Sequence, residues 1–324
     1  MSVTDFSRKL AYYPRSLLLR AQIATTRALL HGSEAWHALD RLGVPGHGTD
    51  LVRIDFPPRV ADAPRWQRDS AIQARLAAII DQSLPNARAW LSRIAGRMPD
   101  RAAWPEQPDP ARPGTPNWVN DFLTPVDMAT LYGVIRETRP ARYIEIGSGM
   151  STRVAHAAKT DGKLATEIIS IDPWPRVEVE VLCDRGIRTR LEDNTTELLT
   201  LVRPGDVVFL DGSHRAFPGS DVTVFFLDVL PALPPGCIIH IHDIYLPNDY
   251  PADLLPRLWS EQYMLAAWLL GGGAGLEIIL PCAALCLDPE ALTTFARVPA
   301  LRETIPLASS SMWLRRADRS SSKS

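Results

Sequence analysis

The chain has 324 residues, of which 46% are hydrophobic and 22% charged, and its formal net charge is -2 at pH 7. This is the composition of a globular protein able to bury a full core, and the near-neutral balance excludes the basic footprint of a nucleic-acid binder. Four cysteines, Cys183, Cys237, Cys282 and Cys286, are too few and too scattered for a disulfide framework and lack companions at zinc-site spacing, so they read as packing residues in a reducing, cytoplasmic setting.

The N-terminal segment is basic, with Arg8, Lys9, Arg15, Arg20 and Arg27 against Asp5, but it has no uninterrupted apolar core and no small-residue cleavage site, so it is not read as a secretory signal. From Ser16 to about Met98 apolar residues recur at helical spacing, as in Ile72, Leu76, Ile79 and Ile80, with Trp90, Leu91 and Ile94 following a break expected at Leu84-Pro85. A proline-rich stretch follows (Pro105, Pro108, Pro110, Pro113, Pro116) and reads as a stiff linker or a wrapping segment. Its Trp104 and Trp118 suit packing over a neighbouring mouth. The expected organisation is a helical N-terminal region with this linker over residues 1–115, a main domain over 116–316 and a disordered polar tail over 317–324.

From about Ala141, short β-rich apolar runs alternate with helical patterns, which predicts an α/β doubly wound, mostly parallel sheet covered on both faces. The predicted strands are Arg142 to Ile146, Glu167 to Ile171, Arg188 to Leu191, Asp206 to Leu210, Cys237 to Ile241 and Leu276 to Leu280, with Met312 to Arg315 as a final strand. The stretch Tyr263 to Leu287 approaches the length of a membrane span, but Gly271, Gly272, Gly273, Gly275 and Pro281 interrupt it. The expectation is a helix followed by a buried strand, with no membrane span.

The first predicted strand runs into Glu145-Ile146-Gly147-Ser148-Gly149-Met150-Ser151, a strand, glycine turn and helix start whose missing side chains let a ligand lie against the backbone. The second ends in Ser170-Ile171-Asp172-Pro173 and places a carboxylate where it can accept both hydroxyls of a ribose; otherwise Asp172 is a turn residue before Pro173. Asp193, in Leu191-Glu192-Asp193-Asn194, is placed either to approach an adenine amino group or to cap a helix starting near Thr195. Asp211-Gly212-Ser213-His214 leaves the fourth strand and His242-Asp243 the fifth. Alternation puts His240 and His242 on one face, His240 as a satisfied core histidine and His242 at the functional edge. The following Ile244 to Pro251 reads either as acceptor-pocket lining or as a plain surface loop, and Glu261, Gln262 and Tyr263 as facing water.

Together these ordered motifs resemble the class I S-adenosylmethionine-dependent methyltransferases, in their bacterial small-molecule branch, over about Ala141 to Arg316. The resemblance implies a Rossmann-like seven-stranded sheet with an antiparallel last strand. It assigns Glu145, Gly147 and Gly149 to the methionine end of the cofactor, with Ser148 and Ser151 beside them, and Asp172 to the ribose, with Asp193 and Asp211 also on the cofactor. Methyl transfer to a hydroxyl of a small-molecule acceptor then needs the acceptor's proton removed. His214 or His242 can be that base beside Asp211, or Asp211, His242 and Asp243 can hold a divalent metal ion; the sequence favours the histidine, because magnesium prefers all-oxygen coordination. An NAD-dependent oxidoreductase is the competing enzyme reading, set back by Thr152 after Ser151 where a third glycine is required, and a catalytically silent cofactor-binding scaffold is the non-enzyme one. A homo-oligomeric state is left open.

Overall fold

A computed structural model describes residues 61–175, 177–301 and 307–317. The basic N-terminal segment, the helical spacing before residue 61 and the tail from 318 lie outside these described residues. The first long helix, α1 (Ala74–Ala95), continues straight through Pro85, where the sequence predicts a break. A proline inside a helix costs about 3 kcal/mol through its missing N–H and its clash with the preceding turn. Here the orphaned carbonyl belongs to an exposed residue, Asp81, while Leu76, Ile80, Leu84, Ala87, Leu91 and Ile94 form a continuous buried stripe. Burying such side chains returns roughly 1.5–3 kcal/mol each, so packing outweighs the local penalty.

The proline-rich stretch is anchored to the core through its two tryptophans, while most of the residues between them are exposed. Trp104 and Trp118 are buried with ring centroids 4.6 Å apart, and the Trp118 and Val119 N–H groups donate to the carbonyls of Pro105 and Glu106. Thr124 and Asp127 then cap each other at the start of α2 (Pro125–Thr138), with Pro125 at the position where its missing N–H costs nothing.

Seven strands follow: β1 (Arg142–Ile146), β2 (Glu167–Ile171), β3 (Arg185–Ile187), β4 (Val207–Leu210), β5 (Ile238–Ile241), β6 (Leu276–Pro281) and β7 (Met312–Arg316). The longer intervening helices are α3 (Met150–Gly162), α4 (Leu191–Leu201), α5 (Glu261–Leu270) and α6 (Pro289–Phe295). The sheet order is β3-β2-β1-β4-β5-β7-β6, and β7 runs antiparallel to both β5 and β6. This is the Rossmann-like, doubly wound sheet with an antiparallel last strand that the motifs imply. Its order reverses between β1 and β4, and ligands of such sheets bind at the carboxyl ends of the strands beside that reversal.

One strand is misplaced in the sequence reading. Arg188 to Leu191 is not a strand: β3 is the preceding three-residue edge, paired to β2 from Ile169↔Arg185 to Ile171↔Ile187, and Leu191 already begins α4. An edge strand this short and charged carries little periodic signal, and Glu192 and Asp193 favour the first turn of a helix. The apolar stretch near the C-terminus divides into α5 and β6, and among the described residues no helix is long and apolar enough to cross a membrane.

Candidate active site

At the end of β1 the chain turns through Gly147, whose φ of 96° is a conformation side chains rarely adopt. A Cβ there would lie 2.5 Å from the Asp211 carbonyl oxygen, so the glycine turn and the end of β4 touch backbone to backbone. Glu145 sits beneath the turn, fully buried. Its carboxylate accepts from the hydroxyls of Tyr143 (3.2 Å), Ser151 (2.9 Å) and Thr152, and Thr152 in turn accepts from the Gly149 N–H. Burial pushes the Glu145 carboxyl up to about 8 against the pull of those three hydroxyls. Glu145 and Ser151 thus brace the turn from behind through their shared hydrogen bond.

Asp172 follows β2 and faces the turn, where it accepts from the Ser148 hydroxyl and, at 2.8 Å, from the Trp174 N–H. The carboxylate thus already receives a hydroxyl where a ribose would present two. Trp174 is 66% exposed, with the Arg190 guanidinium 5.4 Å from its ring centroid. Asp193 does not end a strand; it lies exposed in the first turn of α4. Its neighbour Asn194, which the sequence reading passed over, is buried and its Nδ2 has no hydrogen-bond partner. An open glycine turn, a hydroxyl-accepting carboxylate and an orphaned buried amide fit a nucleoside-bearing cofactor.

Across the reversal, the turn after β4 is set by a residue that the motifs do not contain. Asp221 accepts from the Ser213 N–H at 2.7 Å and the Ser213 hydroxyl at 2.5 Å, fixing Asp211 to His214 as a rigid bend. His214 itself adopts φ 59° and Asp243 φ 54°, a strained region for residues with a Cβ that is held only where surroundings enforce it. The His214 carbonyl accepts from the Ser260 N–H (2.8 Å) and the Glu261 N–H (3.2 Å) at the start of α5, and its Nδ1 lies 2.8 Å from Glu261 Oε2. Trp259 packs on the imidazole with centroids 4.3 Å apart. Its Nε2 then faces Asp211 Oδ1 at 3.4 Å and Asp243 Oδ2 at 3.5 Å.

Asp211, His214 and Asp243 therefore converge, with ligand atoms all within 4.8 Å of one another. His242, expected in that set, is not part of it. It lies buried, with its Nε2 3.3 Å from the Phe122 carbonyl and 3.8 Å from Asp243 Oδ1, and its Nδ1 has no hydrogen-bond partner among the described residues. Strand alternation explains the displacement: His242 shares the face of His240, and both rings stack on Phe209. His240 bonds Ser311 Oγ at 2.9 Å through Nε2, and burial drives its pKa well below the ordinary range, so it is a neutral core imidazole. Phe122 lies between the proline-rich stretch and α2, and its carbonyl comes to the residue that follows β5.

Glu261 is the residue sequence reasoning missed most completely. It is wholly buried, not water-facing, and so is Gln262. The available signal was that α5, Glu-Gln-Tyr-Met-Leu-Ala-Ala-Trp-Leu-Leu, is apolar nearly all round; such a helix is buried, and an acid on it needs a partner. The post-β5 loop is likewise no plain surface loop: Ile244, Leu246, Asp249 and Tyr250 are buried. Asp249 accepts from the Arg65 N–H and the Tyr263 hydroxyl at 2.9 and 2.7 Å, and the Trp66 indole donates to the Pro247 carbonyl at 3.0 Å.

Burial alone would lower the His214 pKa, but hydrogen bonds to Asp211 and Glu261 and their charges raise it to about 10. Burial raises Glu261 to about 7 against the His214 contacts, whereas Asp211, pushed up by burial, is brought below its ordinary value by His214 and His242. Because the folded pKa of His214 lies above its unfolded value, its contribution to stability is full below about 6.5 and is lost as pH rises toward about 10. The metal-free protein is expected to lose stability across that window, and His214→Gln to flatten the loss, in denaturant unfolding midpoints taken from pH 6 to 10.

Residues 144–244 match a family model described as a methyltransferase domain. No curated protein matches the chain. Among solved structures it is similar to the SAH-bound Podospora anserina methyltransferase PaMTH1, with 14% identity over 77% of this chain and 97% of that one and a TM-score of 0.36. It is also similar to a putative methyltransferase from Thermobifida fusca YX, with 15% identity over 59% and 82% and a TM-score of 0.37. A third similar structure is MycE from the mycinamycin biosynthetic pathway in complex with Mg and SAH, with 18% identity over 61% and 50% and a TM-score of 0.35; the chain spans half of its length.

Proposed function

We propose that this class I methyltransferase domain transfers the methyl group of S-adenosylmethionine to a hydroxyl of a small-molecule acceptor, and that Asp211, His214 and Asp243 hold a divalent cation at the reacting mouth. The observation that supports this most is the close approach of the glycine turn to the Asp211 carbonyl, which brings that turn beside the cluster of Asp211, His214 and Asp243. When bound, S-adenosylmethionine supplies an electrophilic methyl on a sulfonium and a divalent cation supplies a Lewis acid that favours the ionised acceptor.

The chain's own residues bind and orient. The turn at Gly147–Gly149 leaves backbone open to the ligand, Asp172 accepts ribose hydroxyls, and the clamp of Asp221 on Ser213 keeps Asp211 and His214 from drifting. Rigid placement of this kind is worth orders of magnitude in rate, because displacement at carbon needs donor and acceptor aligned. The histidine-base reading that the sequence favours loses ground here. The His214 ring is held at Nδ1 by Glu261 with Nε2 facing Asp211 and Asp243, and His242 is buried with its Nε2 at the Phe122 carbonyl.

Isothermal calorimetry with S-adenosylmethionine, its demethylated product and NAD, followed by methyl-incorporation assays on a metabolite panel with and without chelator, tests the proposal. Binding of the first two ligands but not NAD is expected, with turnover abolished by chelation and restored by a divalent ion. Turnover that survives chelation would return the role of base to a histidine, and tighter binding of NAD would replace the methyl-transfer reading altogether.

A further inference from the structure

We propose that the cation at this mouth is a nitrogen-accepting transition ion of the Mn2+, Fe2+ or Co2+ kind and not Mg2+, with His214 Nε2 as a ligand and Glu261 as the positioning residue that makes it one. This rests on the metal reading above and specifies the ion and the donor set.

The first ground is spacing. His214 Nε2 lies 3.4 Å from Asp211 Oδ1 and 3.5 Å from Asp243 Oδ2. Charge-assisted N–H···O bonds close to about 2.7–2.9 Å, so neither contact is a relaxed ion pair. Neighbouring ligands around one ion, each bonded at about 2.1–2.2 Å, stand about 3 to 3.5 Å apart, which is the spacing found.

The second ground is the far side of the ring. Glu261 Oε2 at 2.8 Å accepts the Nδ1 proton from a position with no solvent exposure. That fixes the tautomer with the Nε2 lone pair turned toward the two carboxylates, the carboxylate–imidazole–metal arrangement. The attachment is redundant, since α5 also binds the His214 carbonyl through two N–H groups and Trp259 backs the ring. A buried carboxylate is costly, and Glu261 Oε1 has no hydrogen-bond partner among the described residues, so stability alone does not account for this acid.

The third ground is donor chemistry. Imidazole suits Fe2+ and the later first-row ions, and Mn2+ is at home with the two carboxylates and accepts an imidazole beside them, whereas Mg2+ demands oxygen ligands in a near-ideal octahedron and sheds water reluctantly. His242, at 3.8 Å from the farther oxygen of Asp243 and held against the Phe122 carbonyl, is not the nitrogen donor.

The full chain loaded with Mn2+ and studied by electron spin-echo spectroscopy tests this without any variant: nitrogen modulation that changes on 15N-histidine labelling is expected. It should persist in His242→Ala and vanish in His214→Ala. In calorimetry His214→Ala should lose about 100-fold in Co2+ affinity and less than about threefold in Mg2+, and Glu261→Ala about tenfold or more in Co2+, with Glu261→Gln, which keeps an acceptor, in between. Bound Mn2+ without nitrogen modulation, or equal losses for both ions, would overturn the assignment of His214 while leaving a metal site. Divalent-ion affinity unchanged in both Asp211→Asn and Asp243→Asn would remove the metal site itself, and this inference with it.

Discussion

Asp172→Ala is expected to fold normally and to bind S-adenosylmethionine about 100-fold or more weakly than the parent protein. The carboxylate follows β2, is only partly buried and, among the described residues, makes two hydrogen bonds, from the Ser148 hydroxyl and the Trp174 N–H, so its removal leaves no buried cavity. Thermal unfolding should shift by no more than the few degrees that about 1 kcal/mol produces. Toward a ribose, by contrast, it would accept two hydroxyls, and hydrogen bonds to a charged group are worth about 1.5–3 kcal/mol each. Two of them amount to roughly two to four powers of ten in dissociation constant. Calorimetry on a variant with an unaltered melting curve decides the matter; an unchanged affinity would detach Asp172 from the cofactor and leave it as a turn residue before Pro173.

The second large effect belongs to Gly147→Ala. A side chain at φ 96° costs about 1–3 kcal/mol in backbone strain. The added methyl would also meet the Asp211 carbonyl oxygen at 2.5 Å, and neither backbone can yield without parting β1 from β4, where the Asp211 N–H donates to the Ile146 carbonyl at 3.1 Å. Against a total stability of about 5–15 kcal/mol, a combined loss of about 3 kcal/mol or more should lower the urea midpoint visibly. Cofactor affinity and turnover should fall together, because the same displacement disturbs both sides of the reversal. A variant with a parental midpoint and normal cofactor binding would show that the two loops are not mechanically joined.

The ends of the central strands were legible because their chemistry is local. The Gly147 turn, Asp172 and Asp211 each follow a predominantly apolar strand of four or five residues, and a buried parallel strand leaves little room for any other reading. Pro85 and β3 misled for opposite reasons. A tertiary stripe overrode a local breaker in α1, and at the sheet edge a three-residue strand was too short to leave a period in the sequence. Asp221 and Glu261 were invisible for a third reason: each acts on a loop 8 and 47 residues away, Ser213 and His214 respectively, and no spacing rule reaches across such gaps. Sequence placed His214 and His242 side by side as alternatives, whereas the left-handed bends at His214 and Asp243 turn one imidazole into the mouth and leave the other behind it.

The insertion of β7 between β5 and β6 has a bearing on how the protein is made. Until Met312–Arg316 has emerged from the ribosome, β5 has no neighbour on one flank, and the strand that carries His242 and Asp243 is an open edge of four apolar and imidazole residues. Antiparallel pairing from Ile238↔Arg315 to Ile241↔Met312 closes that edge, and the carbonyls of Ser310 and Ser311 take the N–H groups of Ile244 and Cys282 in the same event. The carboxyl end of β5 is thus completed only by a strand made after β6, so a nascent or prematurely terminated chain that lacks it would display a sticky β-edge, a natural client for chaperones and proteases.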